Sequence, residues 1–135
     1  TCRVVSYLID TDAVADWLNN RPAVVGLLPS LEPDGLAISI ITYGEVYEGI
    51  YFGRDPRAAE RAFLRFLRVA AVLPLSRNIM KRFARIRGQL RRHGLLIQDP
   101  DLLIAATALT HDMTLITRNL RHFQRIPELK IYTEP

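Results

Sequence analysis

Three observations predict an α/β fold with a largely parallel sheet. Short β-branched and apolar runs alternate with longer helical patterns along the chain. The first of these runs is apolar almost throughout, as a strand covered on both faces must be. Acids stand directly after strand runs or just inside the helices that follow, at the sheet edge where open α/β folds gather ligands. At 135 residues the chain suits a single domain, 1–135, able to bury about two thirds of its unfolded surface.

Val4 to Ile9 is the first strand, β-branched and aromatic, and Asp10-Thr11-Asp12 places two carboxylates at its carboxyl end. Asp12 also suits the start of the helix that Ala13 to Leu18 predicts. Trp17 is assigned to core or interface packing. A second helical piece covers Pro22 to Leu28, and Pro29 to Gly35 reads as loop from its Pro, Asp and Gly content. Leu36 to Ser39 is the second strand. Thr42, with Glu45 three residues on, has the spacing of a capping box for a helix reaching Tyr51.

Pro56 fits the first turn of the next helix, on which Arg57, Arg61, Arg65 and Arg68 recur at helical spacing. Val72 to Leu75 is a short strand, and Ser76 caps a long helix ending near Arg92, before His93-Gly94. Asp99 suits a cap, Pro100 the first helical position, and Asp101 the positive end of a helix running to Thr110. That helix is apolar nearly all round and is expected to be buried. Met113 to Thr117 is the next strand, followed by Arg118-Asn119, a short helical piece from Leu120 to Phe123, and an edge strand from Leu129 to Tyr132.

Charge is divided unevenly. Between Arg54 and Arg92 there are twelve basic residues and two acids, although the whole chain carries a net charge of only +4. A basic segment beside an acidic centre suits a polyanion held near a metal. Sixteen of the eighteen cations are Arg, the residue that grips phosphate through two N–H groups. The arginine face from Arg57 to Arg68 and the helix from Arg82 to Arg92 are therefore candidates for binding RNA or an acidic partner. No apolar run approaches the roughly 18 residues of a membrane span, and no signal-peptide pattern opens the chain. The one cysteine, Cys2, cannot form an internal disulfide. No membrane association and a cytoplasmic location are expected.

Asp10, Glu45, Asp101 and Asn119 share a geometric position. In a parallel sheet, strand ends and the helix starts that follow lie on one edge, so Asp10, Glu45 and Asn119 are expected to converge, and Asp101 joins them if its helix packs with its start on that edge. Two unit charges about 4 Å apart repel by on the order of 4 kcal/mol at an effective dielectric of 20. Three carboxylates in one cleft therefore need a cation, a shared proton or an arginine. Oxygen ligands without paired cysteines suit Mg²⁺ or Mn²⁺ rather than zinc.

The stretches Leu8-Ile9-Asp10-Thr11-Asp12, Ile38 to Glu45, Asp101 to Leu109 and Leu115-Ile116-Thr117-Arg118-Asn119 resemble the PIN domain. Within it they look like the VapC toxins of bacterial and archaeal toxin–antitoxin pairs. The resemblance spans nearly the whole chain in order and spacing, and the tail from Arg121 to Pro127 shares it. It implies a three-layer α/β/α domain acting as a Mg²⁺-dependent endoribonuclease, commonly homodimeric and inhibited by a cognate VapB-type antitoxin. It carries catalytic and metal-binding roles onto Asp10, Glu45 and Asp101. Secondary candidates are Asp99, Thr117 and Asn119. Two positions depart from the family pattern: Asp12 where Asn is usual, and Asn119 where many members have a fourth acid.

Two other readings compete. Asp10-Thr11-Asp12-Ala13-Val14 fits the opening motif of haloacid-dehalogenase-type phosphatases, but Lys81 and Lys130 are the only lysines and neither sits where such an enzyme binds phosphate. A catalytically silent PIN-like module that binds RNA or protein is the other. His93 and His111 suit helix ends, and His122 lies beside the proposed site.

Overall fold

Strand pairing places the first strand at the centre of the sheet. In the computed structural model, which describes residues 6–132, β1 (Tyr7–Ile9) lies between β2 (Leu36–Ser39) and β4 (Thr114–Ile116), and β3 (Ala70–Leu73) borders β2. All three pairings are parallel. Parallel neighbours need crossover connections, and helices supply them. These are α1 (Thr11–Leu18), α2 (Pro22–Leu31), α3 (Ile40–Tyr51), α4 (Pro56–Phe66), α5 (Arg77–Arg92), α6 (Asp99–Thr110) and α7 (Leu120–Phe123).

The pleat divides the apolar residues between two cores. Leu8, Ala37 and Leu115 point into one with Ile79, Ile86, Leu102 and Phe123 from α5, α6 and α7. Their neighbours Ile9, Ile38 and Ile116 point into the other, with Val14, Val46, Phe63 and Phe66 from α1, α3 and α4. Both sheet faces are covered, giving the expected three layers. Trp17 is half-buried and packs against the second core, its ring 5.3 Å from that of Phe66, within the core or interface role anticipated.

Helix α6 is the most buried of the helices. Leu102, Ile104, Ala105, Ala106 and Ala108 are all fully buried, and the alanines let neighbouring elements approach closely. Filling one of those positions overpacks the layer. Ala106→Leu is expected to lower unfolding free energy by about 1–3 kcal/mol, and urea denaturation followed by circular dichroism would measure it.

Several boundaries differ from the expectations. Val4 and Val5 of the first strand, and Cys2, lie outside the described residues. Helix α1 begins at Thr11 because Asp10 itself is the N-cap, accepting the Thr11 N–H. Helix α2 continues through Pro29 to Leu31 and passes into a 3-10 turn over Glu32–Asp34, replacing the expected loop. The N–H missing at Pro29 falls in the last turn, while buried Leu28 and Leu31 hold that turn to the core. Gly35 then takes φ +89°, a turn conformation that favours glycine, and leads into β2.

The capping box on Thr42 does not form. Ser39 caps α3 instead, its hydroxyl accepting the Ile41 N–H at 3.0 Å, and Thr42 is buried inside the helix. Strand β3 lies two residues earlier than expected because its register with Leu36–Ser39 sets it, and Pro74 offers no N–H to extend it. Helix α4 ends at Phe66, so Arg68 sits in the turn before β3 rather than on the helical arginine face. Ser76 caps α5 as anticipated. Gln98, not Asp99, is the N-cap of α6, with no side-chain bond. The final edge strand reduces to a single parallel bridge, Leu115 to Ile131, because the turn through Ile126 and Leu129 uses up the chain that would pair.

Candidate active site

Every strand of the sheet points the same way, so the carboxyl ends of β1, β2 and β4 open on one edge. Asp10 follows β1 there, and only 4 % of it is exposed. Its Oδ1 accepts the Thr11 N–H at 2.8 Å and its Oδ2 accepts the Thr117 hydroxyl at 2.7 Å. Burial is the main force on its ionisation and pushes its pKa up from 3.8 to about 7. The negative charges of Asp12 and Asp101 push the same way, against the two hydrogen bonds. A carboxyl group poised near neutrality in this way is a mark of functional sites.

From Asp10 a chain of contacts runs to Asp101. Thr117 Oγ1 accepts the Asn119 N–H at 2.9 Å, Asn119 Nδ2 lies 3.0 Å from His122 Nδ1, and that nitrogen lies 3.4 Å from Asp101 Oδ2. On the other side, Thr11 Oγ1 donates to Glu45 Oε1 at 2.6 Å and lies 3.1 Å from the Thr42 hydroxyl. Asp10, Glu45, Asp101, Thr117 and Asn119 are thus brought to one edge. Asp99 is not part of this network. It turns outward to Arg87 Nε at 3.0 Å, with its side chain 57 % exposed.

Asp12 has a different role from Asp10. Its carboxylate accepts the Arg118 backbone N–H at 3.1 and 3.3 Å. Burial raises its pKa, against that bond and the Arg118 charge. Arg57, Arg61, Arg65 and Arg68 are exposed on and just beyond α4.

Three participants carry no assigned role from sequence reading. Thr11 fixes Glu45, His122 turns one ring nitrogen to both Asn119 and Asp101, bonding one or the other by its tautomer, and Asp16 pairs with Arg118. His122 is placed beside the site by its position after Asn119 in the sequence, and Asp12 and Asp16 are four residues apart on one helix and share a face. The Thr11–Glu45 contact joins residues 34 apart, and no local pattern signals it.

Among the described residues no three His, Cys, Asp or Glu side chains stand at the spacing of a metal cage. The donor chemistry nevertheless fits a hard divalent cation. Mg²⁺ keeps much of its water and is held by one or two carboxylates together with substrate phosphates. Asp10 and Asp101, whose charges repel, have the oxygen chemistry of such a pair, with Glu45 adjoining through Thr11.

A PIN domain family model matches residues 7–129. "Ribonuclease VapC1" of Methanocaldococcus jannaschii is 35 % identical over 93 % of this chain and 85 % of its own length. The structure of VapBC2 from Rickettsia felis, bound to a DNA fragment from its promoter, superposes with a TM-score of 0.90 at 26 % identity, covering 97 % of this chain and 100 % of the other. VapBC-1 from nontypeable Haemophilus influenzae superposes with a TM-score of 0.81 at 31 % identity, covering 95 % and 97 %.

Proposed function

The chain belongs to the PIN-domain family, and on that premise we propose that it is the endoribonuclease toxin of a VapBC-type toxin–antitoxin pair, dependent on Mg²⁺. The family match over residues 7–129 supports reading the chain as one PIN domain, with a VapB-type antitoxin as its inhibitor and RNA as its substrate. Support for the activity comes from relatives carrying the name ribonuclease over nearly the same length. The observation that carries the chemistry is Asp10, buried at the end of the central strand, with its pKa near neutrality and Asp12 and Asp101 repelling it.

Asp10, Asp101 and Glu45 are the proposed catalytic and metal-holding residues. Bound there, Mg²⁺ would supply positive charge for the phosphoryl oxygens and lower the pKa of the attacking water. The protein's own groups do the positioning. Thr117 holds the Oδ2 atom of Asp10 and Thr11 holds the Oε1 atom of Glu45. Burial raises the Asp10 pKa to about 7, and a nearby cation favours release of its proton. Asn119 lies beside His122 at the site and adds no fourth negative charge. Asp99, paired outward with Arg87, is left as a peripheral anion.

The exposed arginines of α4, with Arg68, and the Arg82–Arg92 stretch of α5 are proposed to bind RNA or the antitoxin. Tyr51 and Phe52 at the end of α3 are 65 % and 87 % exposed, which supports a homodimer. Among the described residues no helix is long and apolar enough to cross a membrane, which is compatible with the proposed cytoplasmic location.

The test is cleavage of bulk cellular RNA by the purified chain. Cleavage is expected with Mg²⁺ or Mn²⁺, absent with EDTA and blocked by a co-expressed antitoxin. Binding without cleavage under all metal conditions would establish the silent module instead. Turnover of a small phosphomonoester in place of RNA would favour a phosphatase.

A further inference from the structure

Asp12 and Asp16 share one face of α1, turned towards the connection between β4 and α7. Both grip the same residue. Asp12 accepts the backbone N–H of Arg118, and Asp16 Oδ2 takes its Nε at 2.6 Å. The burial is one-sided. The Asp16 side chain is 9 % exposed, whereas that of Arg118 is 66 % exposed.

The Arg118 guanidinium meets Asp16 through Nε, and with 66 % of the side chain exposed the group is open to solvent. Arg21 is the other cation near Asp16, at 3.9 Å and 69 % exposed. The backbone bond to Asp12 already ties the loop to α1, so loop anchoring alone does not require a guanidinium there. The Asp16 bond fixes a cation beside Thr117, the residue that holds Asp10. This sheet edge is otherwise lined by Asp10, Asp12, Asp101 and Glu45, and a polyanion approaching it meets repulsion. A planar guanidinium anchored by one acid and largely exposed matches the geometry of phosphate oxygens.

We propose that Arg118, oriented by Asp12 and Asp16, is a substrate-positioning residue that grips an RNA phosphate next to the one cleaved. The proposal rests on the ribonuclease reading. Asp12 and Asp16 act through Arg118 and touch neither metal nor RNA.

The test compares the wild-type chain with Arg118→Ala, Arg118→Lys and Asp16→Asn, using a labelled RNA of randomised sequence. KM and kcat are measured with Mg²⁺, and Kd is measured in EDTA over a range of salt. Arg118→Ala is expected to raise KM and Kd about tenfold, leave kcat within about twofold, and reduce the salt slope of binding by about 0.7. Arg118→Lys is expected to retain the slope and recover part of the affinity, since it keeps the charge and loses the fork. Asp16→Asn is expected to weaken binding less than Arg118→Ala while keeping the slope.

An Arg118→Ala protein with unchanged Kd and slope overturns the proposal. So does one that loses melting temperature and kcat together at an unchanged slope, the behaviour of a purely structural tie. Weakened antitoxin binding with unaltered RNA affinity overturns it too. A wild-type chain that neither binds nor cuts the RNA removes the ribonuclease reading and this proposal together. Cleavage by wild type and Arg118→Ala with equal KM removes this proposal alone.

Discussion

Replacing Asp10 by Asn is expected to reduce RNA cleavage by on the order of a thousandfold or more, since a metal site supplies several kcal/mol of transition-state stabilisation. The fold should survive. Asn has the shape of Asp, its carbonyl can keep the Thr11 N–H bond, and its amide can donate to the Thr117 hydroxyl. That hydroxyl already lies 3.4 Å from Asp12 Oδ2 and has an alternative acceptor there. Circular dichroism should therefore match wild type while turnover is lost. Undiminished cleavage by Asp10→Asn would remove Asp10 from the mechanism and leave Glu45 and Asp101 without the partner that gives their placement meaning.

The second large effect is on stability. Asp10 has a pKa near 3.8 when exposed and about 7 in the folded protein. Below pH 3.8 it is protonated in both states, and its contribution to stability is fully present. Between those values the unfolded chain releases the proton and the folded chain keeps it, so stability falls as pH rises through about 7. The gap corresponds to a loss on the order of 4 kcal/mol, and Asp12, also raised by burial, acts in the same direction. Thermal melts in EDTA should show a lower midpoint at pH 8 than at pH 5.5. Mg²⁺ should restore much of the difference at pH 8 and little at pH 5.5, because it competes with the proton at the same carboxyl group. Asp10→Asn should flatten the EDTA profile. A wild-type midpoint that stays level or rises from pH 5.5 to 8 in EDTA would show that Asp10 ionises freely and that its burial is not felt.

The two predictions separate binding of the cation from use of it. A protein that shows the pH-dependent rescue by Mg²⁺ but no RNA cleavage has a working acidic site and lacks the substrate contacts, which points to the arginines. A protein that cleaves RNA without any metal-linked stabilisation holds the ion too weakly in the free state for Asp10 and Asp101 to form its main site.

The alternation of strands and helices, the burial of α6 and the acids after β1 and at the starts of α3 and α6 are legible in the chain alone. These follow from periodicity and from helix-end preferences, which act over a few residues and are written locally. Boundaries were less legible. Ser39 and Thr42 are both good caps, and the choice between them depended on where β2 stopped pairing with β3. Pro29 looked like a breaker, and only the burial of Leu28 and Leu31 around it kept the helix intact. Tertiary structure alone decided the partners. Thr117 reaches Asp10 across 107 residues, and Arg118 reaches Asp12 across 106. The physical reason is that hydrogen bonds and Coulomb forces at the sheet edge depend on distance in space, which parallel pairing sets. Two similar acids in one motif were therefore given different work, Asp10 buried against a threonine hydroxyl and Asp12 turned to a backbone N–H.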